Sequence, residues 1–291
     1  MCTSNSSESS PIDNPREEVI ADPVVVAENL GKTYTITGAA AEGEGHRIGR
    51  RDVRHVDALR GVSFVARRGE SIGIIGRNGS GKSTLLNLIA GGEAPTSGKI
   101  SVAHQPSLLG VTPALQGWLT GEQNTYLGLL ALGMPPQQAK EKIPEIVEWA
   151  ELGEAATRPM STYSSGMGAK LSFAISTAIQ PEILLVDETL STGDAAFADK
   201  ARERMQALLG TTGNIFLVSH SLSVLRANCS RVIWIHRGDV MADGEAHDVS
   251  SQYDEFSHLL ADGKEDAAGE LLKVVSSEYN GVRIRHAASR D

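Results

Sequence analysis

The sequence predicts an α/β fold with parallel strands built around a phosphate-binding loop, and three stretches carry that prediction. Gly76-Arg77-Asn78-Gly79-Ser80-Gly81-Lys82-Ser83-Thr84 fits the pattern G-x-x-x-x-G-K-[ST]. Ile183-Leu184-Leu185-Val186-Asp187-Glu188 is a short apolar run ending in two carboxylates. Ile215-Phe216-Leu217-Val218 is another, ending at Ser219-His220. Runs this apolar read as strands buried on both faces, as in parallel sheets, whose carboxyl ends are where α/β proteins hold ligands.

The loop is glycine-rich because successive backbone N–H groups must turn inward around phosphates, at angles that a Cβ obstructs. Lys82 supplies a point charge for β- and γ-phosphates, and the Ser83 hydroxyl is placed to ligate Mg²⁺. Ser71-Ile72-Gly73-Ile74-Ile75 reads as the strand before the loop. Thr84 to Ala90 reads as the helix after it, closed by Gly91-Gly92. The pattern implies that the chain binds a nucleoside triphosphate.

Composition sets the bounds. The 291 residues suffice for one large α/β domain or two modest ones, and a net charge of -9 argues against nucleic acid as a main partner. The chain has two cysteines, Cys2 and Cys229, which fits a reducing compartment without a disulfide framework. No apolar run approaches the length of a bilayer span. The expected location is therefore cytoplasmic, with membrane attachment only through a partner. Residues 1–21 are Ser-rich and acidic and read as a disordered tail rather than a signal peptide.

From residue 22 onward, Val24 to Ala27 is the first strand candidate. Tyr34 follows, either an aromatic platform for a base or a half-buried strand residue. The polar stretch 38–57 carries Arg47, Arg50, Arg51 and Arg54 and is expected as an inserted loop or short basic helix. Val62 to Ala66 alternates like a strand, and Lys99 to Ala103 is another. Helical spacing over Glu122–Leu132, a helix begun by Pro135-Pro136 and continued over Ile143–Leu152, and another over Ser164–Ile179 predict a helical subdomain at about 105–180. Asp187 is placed to hold Mg²⁺ through water, and Glu188 to polarise a water toward the γ-phosphate. His220 points to the same edge. Val232 to Ile235 with Gly238-Asp239 reads as a terminal hairpin. The expected divisions are a tail over 1–21, a nucleotide-binding domain over 22–250 and a short extension over 251–291.

Taken in order, Tyr34, Gly76–Thr84, Tyr163-Ser164-Ser165-Gly166-Met167, Ile183–Glu188, Ser191-Thr192-Gly193-Asp194 and His220 resemble the A-loop, Walker A, signature, Walker B, D-loop and switch histidine of ATP-binding cassette (ABC) ATPases. The resemblance implies a RecA-like core, an antiparallel β part and an inserted helical subdomain. It also implies a head-to-tail homodimer closing over two ATPs, in which Ser164 and Gly166 of one copy cap the γ-phosphate bound by the other. A helix N-terminus after Ser164 offers that phosphate a positive dipole end.

The Tyr-Ser-Ser-Gly-Met signature, with Leu119-Thr120-Gly121-Glu122-Gln123-Asn124 upstream, is similar to polysaccharide exporters. These are the ATP-binding subunits of teichoic-acid exporters (TagH type) and of O-antigen or galactan exporters (Wzt type). The implied partners are an integral membrane permease in two copies and, through it, a lipid-linked glycan. The implied location is the cytoplasmic face of the plasma membrane. Exporters of drugs or lipids, and soluble ABC ATPases, are the competing classes. The family's coupling glutamine has no match by spacing: Gln105 lies too close to the preceding strand, and Gln116 too near Thr120. The coupling region is expected at about 104–124. The polar tail after Gly244 is expected to be too small to carry a glycan site of its own.

Overall fold

The computed structural model describes residues 16–19, 22–37, 53–109, 115–187, 195–279 and 281–285. In chain order the described elements are β1 (Arg16–Val19), β2 (Pro23–Thr37), β3 (Val53–Arg67), β4 (Ser71–Ile75), α1 (Lys82–Ile89), β5 (Ser97–Val102) and β6 (Ser107–Leu109). The helices α2 (Gly121–Ala131), α3 (Pro136–Trp149) and α4 (Ser165–Ser176) follow. The chain then runs through β7 (Ile183–Asp187), α5 (Ala195–Thr211), β8 (Asn214–Val218), α6 (Leu222–Asn228), β9 (Arg231–His236) and β10 (Asp239–Glu245). Helices α7 (Ala246–Ala261) and α8 (Glu265–Glu278) and strand β11 (Val282–Arg285) complete it.

The central sheet has six strands in the order β10-β9-β4-β8-β7-β6. All neighbours pair in parallel except β10, which forms an antiparallel hairpin with β9. Ile72, Ile74, Leu184, Leu185, Phe216, Ile233 and Trp234 are all fully enclosed, which explains why these strands read as unbroken apolar runs. Because β8 lies between β4 and β7, the carboxyl ends of three strands meet at one edge. A second sheet, β3-β2-β5, is antiparallel and packs across α1 through Val24, Leu30, Leu59 and Phe64.

Arg231 ties the two sheets together. Its Nε and Nη2 donate to both oxygens of Asp243 at 2.6 and 2.7 Å, while Nη1 reaches the Val65 carbonyl at 2.8 Å. A two-point fork of this kind, largely withdrawn from water, fixes orientation as well as charge.

The helical part, α2 to α4, is built on its own apolar cluster around Ile146, Leu152, Leu171 and Ile175. It joins the core through stacked and edge-on rings of Trp149, Phe173 and Phe197, from α3, α4 and α5. Lys200 and Arg204 lie over the Trp149 ring at 5.0 and 4.8 Å, and Lys200 also donates to the Trp149 carbonyl.

Four boundaries differ from the sequence reading. Strands β2 and β3 are 15 residues each, far longer than Val24–Ala27 and Val62–Ala66, because their outer halves pair with each other away from the core. Arg54 lies on β3 opposite Ile36, not in a loop or helix, while residues 38–52 lie outside the described residues. Arg16–Val19, expected as part of a disordered tail, pairs in parallel with Val282–Arg285. The partner is remote in the chain, so local composition gave no sign of it. Finally, α7 runs straight across the expected division at residue 250. Phe256 on α7 and Ala268 and Val275 on α8 are enclosed in the same cluster as Trp234, so these helices are part of the core. Trp234 meets Phe256 at 5.2 Å and Tyr253 at 5.4 Å.

If these helices share the core, Phe256→Ala should destabilise the whole protein by about 3–5 kcal/mol, the usual cost of emptying an enclosed aromatic site. Urea unfolding should show one transition displaced as a unit. A separate early transition, with the main one unmoved, would assign α7 and α8 to an independent unit.

Candidate functional site

Strand β4 delivers the chain to Gly76, whose φ is 154°. A Cβ there would run into the Ile235 carbonyl of β9, so only glycine lets the loop leave the strand against that neighbour. Gly79 at φ 76° and Gly81 at φ 112° continue the turn, and Gly81 passes the Ala58 carbonyl too closely for a side chain. Helix α1 begins at Lys82, and its first N–H groups open toward the loop. At the far end, Gly91 at φ 73° closes the helix, with Gly92 N–H returning to the Asn87 carbonyl at 3.0 Å.

The loop borders a cleft of about 530 Å³ lined by Asn78, Gly79, Gly81, Lys82, Ser83 and Thr84. Asp187 from β7 and His220 from the end of β8 line it as well. The Lys82 side chain is drawn into the loop, 7% exposed, donating to the carbonyls of Gly76 at 2.7 Å and Arg77 at 3.1 Å. Burial lowers its pKa from the ordinary lysine value, and the negative charge of Asp187 partly opposes that shift. Ser83 Oγ donates to Asp187 Oδ2 at 2.9 Å, which sets two hard oxygen donors side by side at the mouth of an anion cleft. Such a pair fits Mg²⁺, which takes one or two protein oxygens and fills its remaining positions with water and phosphate.

The opposite wall was not legible in the sequence. It is made by Val56, Asp57 and Ala58 of β3, which carry no motif and arrive there only because β3 folds back over the loop. The β9–β10 turn is a second unforeseen support. Gly238 N–H donates to the Ser80 carbonyl at 2.9 Å, and the Gly238 carbonyl accepts from Arg60 N–H at 2.9 Å. The turn therefore braces the loop from behind and ties it to β3. Ser80 itself is buried inside the loop.

Tyr34 is not among the residues lining the cleft. It pairs with Val56 across the β2–β3 ladder, and its hydroxyl donates to Glu93 Oε2 at 2.9 Å. Ser164 and Gly166 lie on the helical part, away from the cleft lining. Ser164 caps α4 by accepting the Met167 N–H at 3.2 Å, and Gly166 sits in the helix's first turn. Glu188 and 191–194 lie outside the described residues. So do residues 110–114, which follow β6. Gln105 lies before β6, at the amino end of a strand whose carboxyl end neighbours Val186, so it sits away from the cleft edge. Gln116 is tied instead to Asn124, its N–H donating to Asn124 Oδ1 at 2.7 Å.

The Leu119–Asn124 motif now has a structural account. Thr120 and Gln123 form a reciprocal capping box at the start of α2. Asn124, fully enclosed, donates to the carbonyls of Gln116, Leu119 and Thr120. Gly121 leaves room for the Tyr163 hydroxyl, which donates to the Ala155 carbonyl at 2.7 Å. The motif and the signature tyrosine are thus one packed unit.

Comparison with known proteins agrees with this geometry. Residues 59–191 match the family model described as ABC transporter. A teichoic acids export ATP-binding protein, TagH, of Staphylococcus saprophyticus is 40% identical over 216 residues, covering 74% of this chain and 81% of that protein. The chain belongs to the ABC transporter family. The protein of the same name from Bacillus anthracis is 42% identical over 199 residues, or 68% of this chain. The chain spans 36% of that relative's length and 59% of the Listeria innocua relative's. Among solved structures, a dimeric ATP-binding cassette in a post-hydrolysis state with ADP and Pi superposes with a TM-score of 0.58 at 23% identity, covering 76% of this chain and 98% of that one. An ATP-binding subunit of an ABC transporter gives 0.59 at 24% identity, covering 79% and 93%. These two show that the fold is that of the cassette.

The brace behind the loop makes a prediction about a residue outside the cleft lining. Gly238 is at φ 90°, and a Cβ there would press on the backbone of Ala58 and Leu59. Gly238→Ala should cost about 1–3 kcal/mol of stability, the size of one strained backbone position. It should weaken ATP binding as well, because Ser80 loses its fixed partner. Calorimetric titration with ATP at a temperature where the variant is fully folded checks this, and wild-type affinity would remove the brace from the argument.

Proposed function

We propose that this cassette is the ATP-hydrolysing subunit of an exporter that moves a lipid-linked cell-surface polysaccharide, of the teichoic-acid type, across the cytoplasmic membrane. The observation that carries the ATPase reading is the meeting of Lys82, the Ser83–Asp187 pair and His220 at one cleft. The substrate class rests on the TagH relatives and on the Tyr163–Met167 and Leu119–Asn124 motifs. The other exporter branches, for drugs or lipids, lack that support.

In this reading the loop N–H groups and Lys82 hold the β- and γ-phosphates, with Lys82 exchanging its loop carbonyls for phosphate oxygens. Ser83 and, through water, Asp187 would hold Mg²⁺, which would supply positive charge to the phosphates. Glu188, next after Asp187, accepts a proton from the attacking water, and His220 contacts the γ-phosphate from the end of β8. A second copy brings Ser164 and Gly166, with the N-terminus of α4, onto that phosphate. Ser164 already has the extended backbone of a helix cap at the start of α4, the helix end that carries positive dipole charge.

The exposed side of the helical part supports a membrane subunit as partner. Leu119, Tyr126, Leu127 and Ile143 line a shallow apolar groove between α2 and α3, and Trp118 stands 73% exposed beside Leu119. The groove overlaps the region 104–124, where coupling was expected. Among the described residues no helix is long and apolar enough to cross a membrane. Choice of glycan would belong to the membrane subunit, with the arginine-bearing stretch 38–57 as the competing seat of recognition.

Glu188→Gln should leave ATP binding intact and slow hydrolysis by about 10²–10⁴-fold, the usual worth of a positioned base. Turnover above about a tenth of the wild-type rate would be too small a loss for that role. Ser164→Arg should leave ATP binding by the monomer unchanged while abolishing the rise of specific activity with protein concentration. A wild-type concentration dependence would rule out the cross-copy contact. Purification of the full chain with the permease in lipid should give an ATPase stimulated by lipid-linked polymer. Stimulation by a drug-like or simple lipid substrate instead would favour another exporter branch.

A further inference from the structure

The part of the nucleotide site that the cleft leaves open is the seat of the base. We propose that Lys32 and Glu93 form a clamp that sets the plane of the Tyr34 ring, so that the ring's other face stacks on the purine base of the bound nucleotide. This rests on the reading of the cleft as an ATP site.

Tyr34 is held at both ends. Its backbone pairs with Val56, which lines the cleft, so the ring starts one strand away from the wall, at a cross-strand Cβ separation of about 5 Å. Its hydroxyl donates to Glu93 Oε2 at 2.9 Å. The same oxygen receives Lys32 Nζ at 2.8 Å, and that ammonium stands 5.1 Å from the ring centroid. One carboxylate oxygen thus takes both the phenol and the cation that lies over one ring face, and in this scheme a flat ligand takes the other face. The Lys32 and Tyr34 hydrogen bonds both hold the Glu93 carboxyl below the usual carboxylate range, so the clamp stays charged at neutral pH.

The clamp is more than a staple for the turn that carries Glu93. That turn is already fixed to β2 without the phenol. Thr96 N–H donates to the Gly31 carbonyl at 2.8 Å, Thr33 N–H to Thr96 Oγ1 at 3.0 Å, and Lys32 Nζ to the Ala94 carbonyl at 2.9 Å. The tyrosine hydroxyl makes a further bond to a turn already held by these three. What it adds is a fixed ring orientation, and a stacking platform loses affinity when its ring rotates freely, because binding must then order it. Lys32 and Glu93 are positioning residues in this scheme, acting through Tyr34.

The test compares ATP with tripolyphosphate, which keeps the phosphate charge and lacks the base. Dissociation constants for both, with Mg²⁺, are measured calorimetrically on the full chain for Tyr34→Phe, Glu93→Ala, their double variant and Lys82→Ala. Tyr34→Phe keeps the ring and removes only the hydroxyl, so it should fold normally. Each single variant should weaken ATP by about 3- to 10-fold, the size of one net hydrogen bond. The double variant should be no worse than Glu93→Ala alone, since the phenol has already lost its partner there. Tripolyphosphate should bind all three as it binds wild type. Unchanged ATP affinity in Tyr34→Phe, additive losses, or an equal loss for tripolyphosphate would overturn the clamp. Lys82→Ala should weaken both ligands, and if it weakened neither, the phosphate-loop reading itself would fail, separately from the clamp.

Discussion

The site depends on a backbone constraint: the loop between β4 and α1 must run through left-handed glycine conformations while pressed against two other strands. Gly76 has the Ile235 carbonyl where a side chain would stand, and Gly81 has Ala58. The loop is therefore shaped from outside as well as from its own sequence. Its floor is the β9–β10 hairpin and its lid is β3. The C-terminal helices reach the same structure indirectly, since Phe256 packs on Trp234 and on His236 beside the hairpin's turn. Burial, with the positive charges of Arg237 and Arg77 nearby, lowers the His236 pKa, and the Asp239 carboxylate partly opposes that shift.

The helical part works differently. It is a small bundle whose rigidity comes from satisfied backbone groups rather than from a large core. Asn124 fills the carbonyls left over before α2, the Thr120–Gln123 box fills the first N–H groups, and Tyr163 closes against Gly121. A tyrosine at the start of the signature is accommodated only because residue 121 has no side chain. The two motifs that set this branch apart in sequence are therefore halves of one contact. The bundle is then joined to α5, the helix after the Asp187-Glu188 carboxylates, by the Trp149–Phe173–Phe197 rings. Glu151 adds ion pairs to Lys170 and Lys200, which hold its carboxyl below the usual range. A shift of α4 is thus felt by α5 through close-packed rings that cannot yield continuously.

The sequence alone determined the parts whose physics is local. The phosphate loop needs its glycines, lysine and hydroxyl in consecutive positions, so it can be read without knowing the fold. Strands β4, β7, β8 and β9 are enclosed on both faces, so their apolar runs survive as a signal, and α1 is bracketed by its own loop and by Gly91. The helical insertion was legible from spacing and caps, because a helix satisfies its backbone within itself.

What only the tertiary structure decided are the contacts between segments far apart in the chain. The outer halves of β2 and β3 are largely polar and exposed, and their mutual pairing makes them strands. Val56 to Ala58 and Gly238 contribute to the site or its supports through hairpin register, which composition does not encode. The pairing of Arg16–Val19 with Val282–Arg285, and the burial of Phe256 and Val275, likewise exist only once the ends of the chain meet. A weakly patterned helix becomes core when a neighbour covers it, and the neighbour is supplied by the fold.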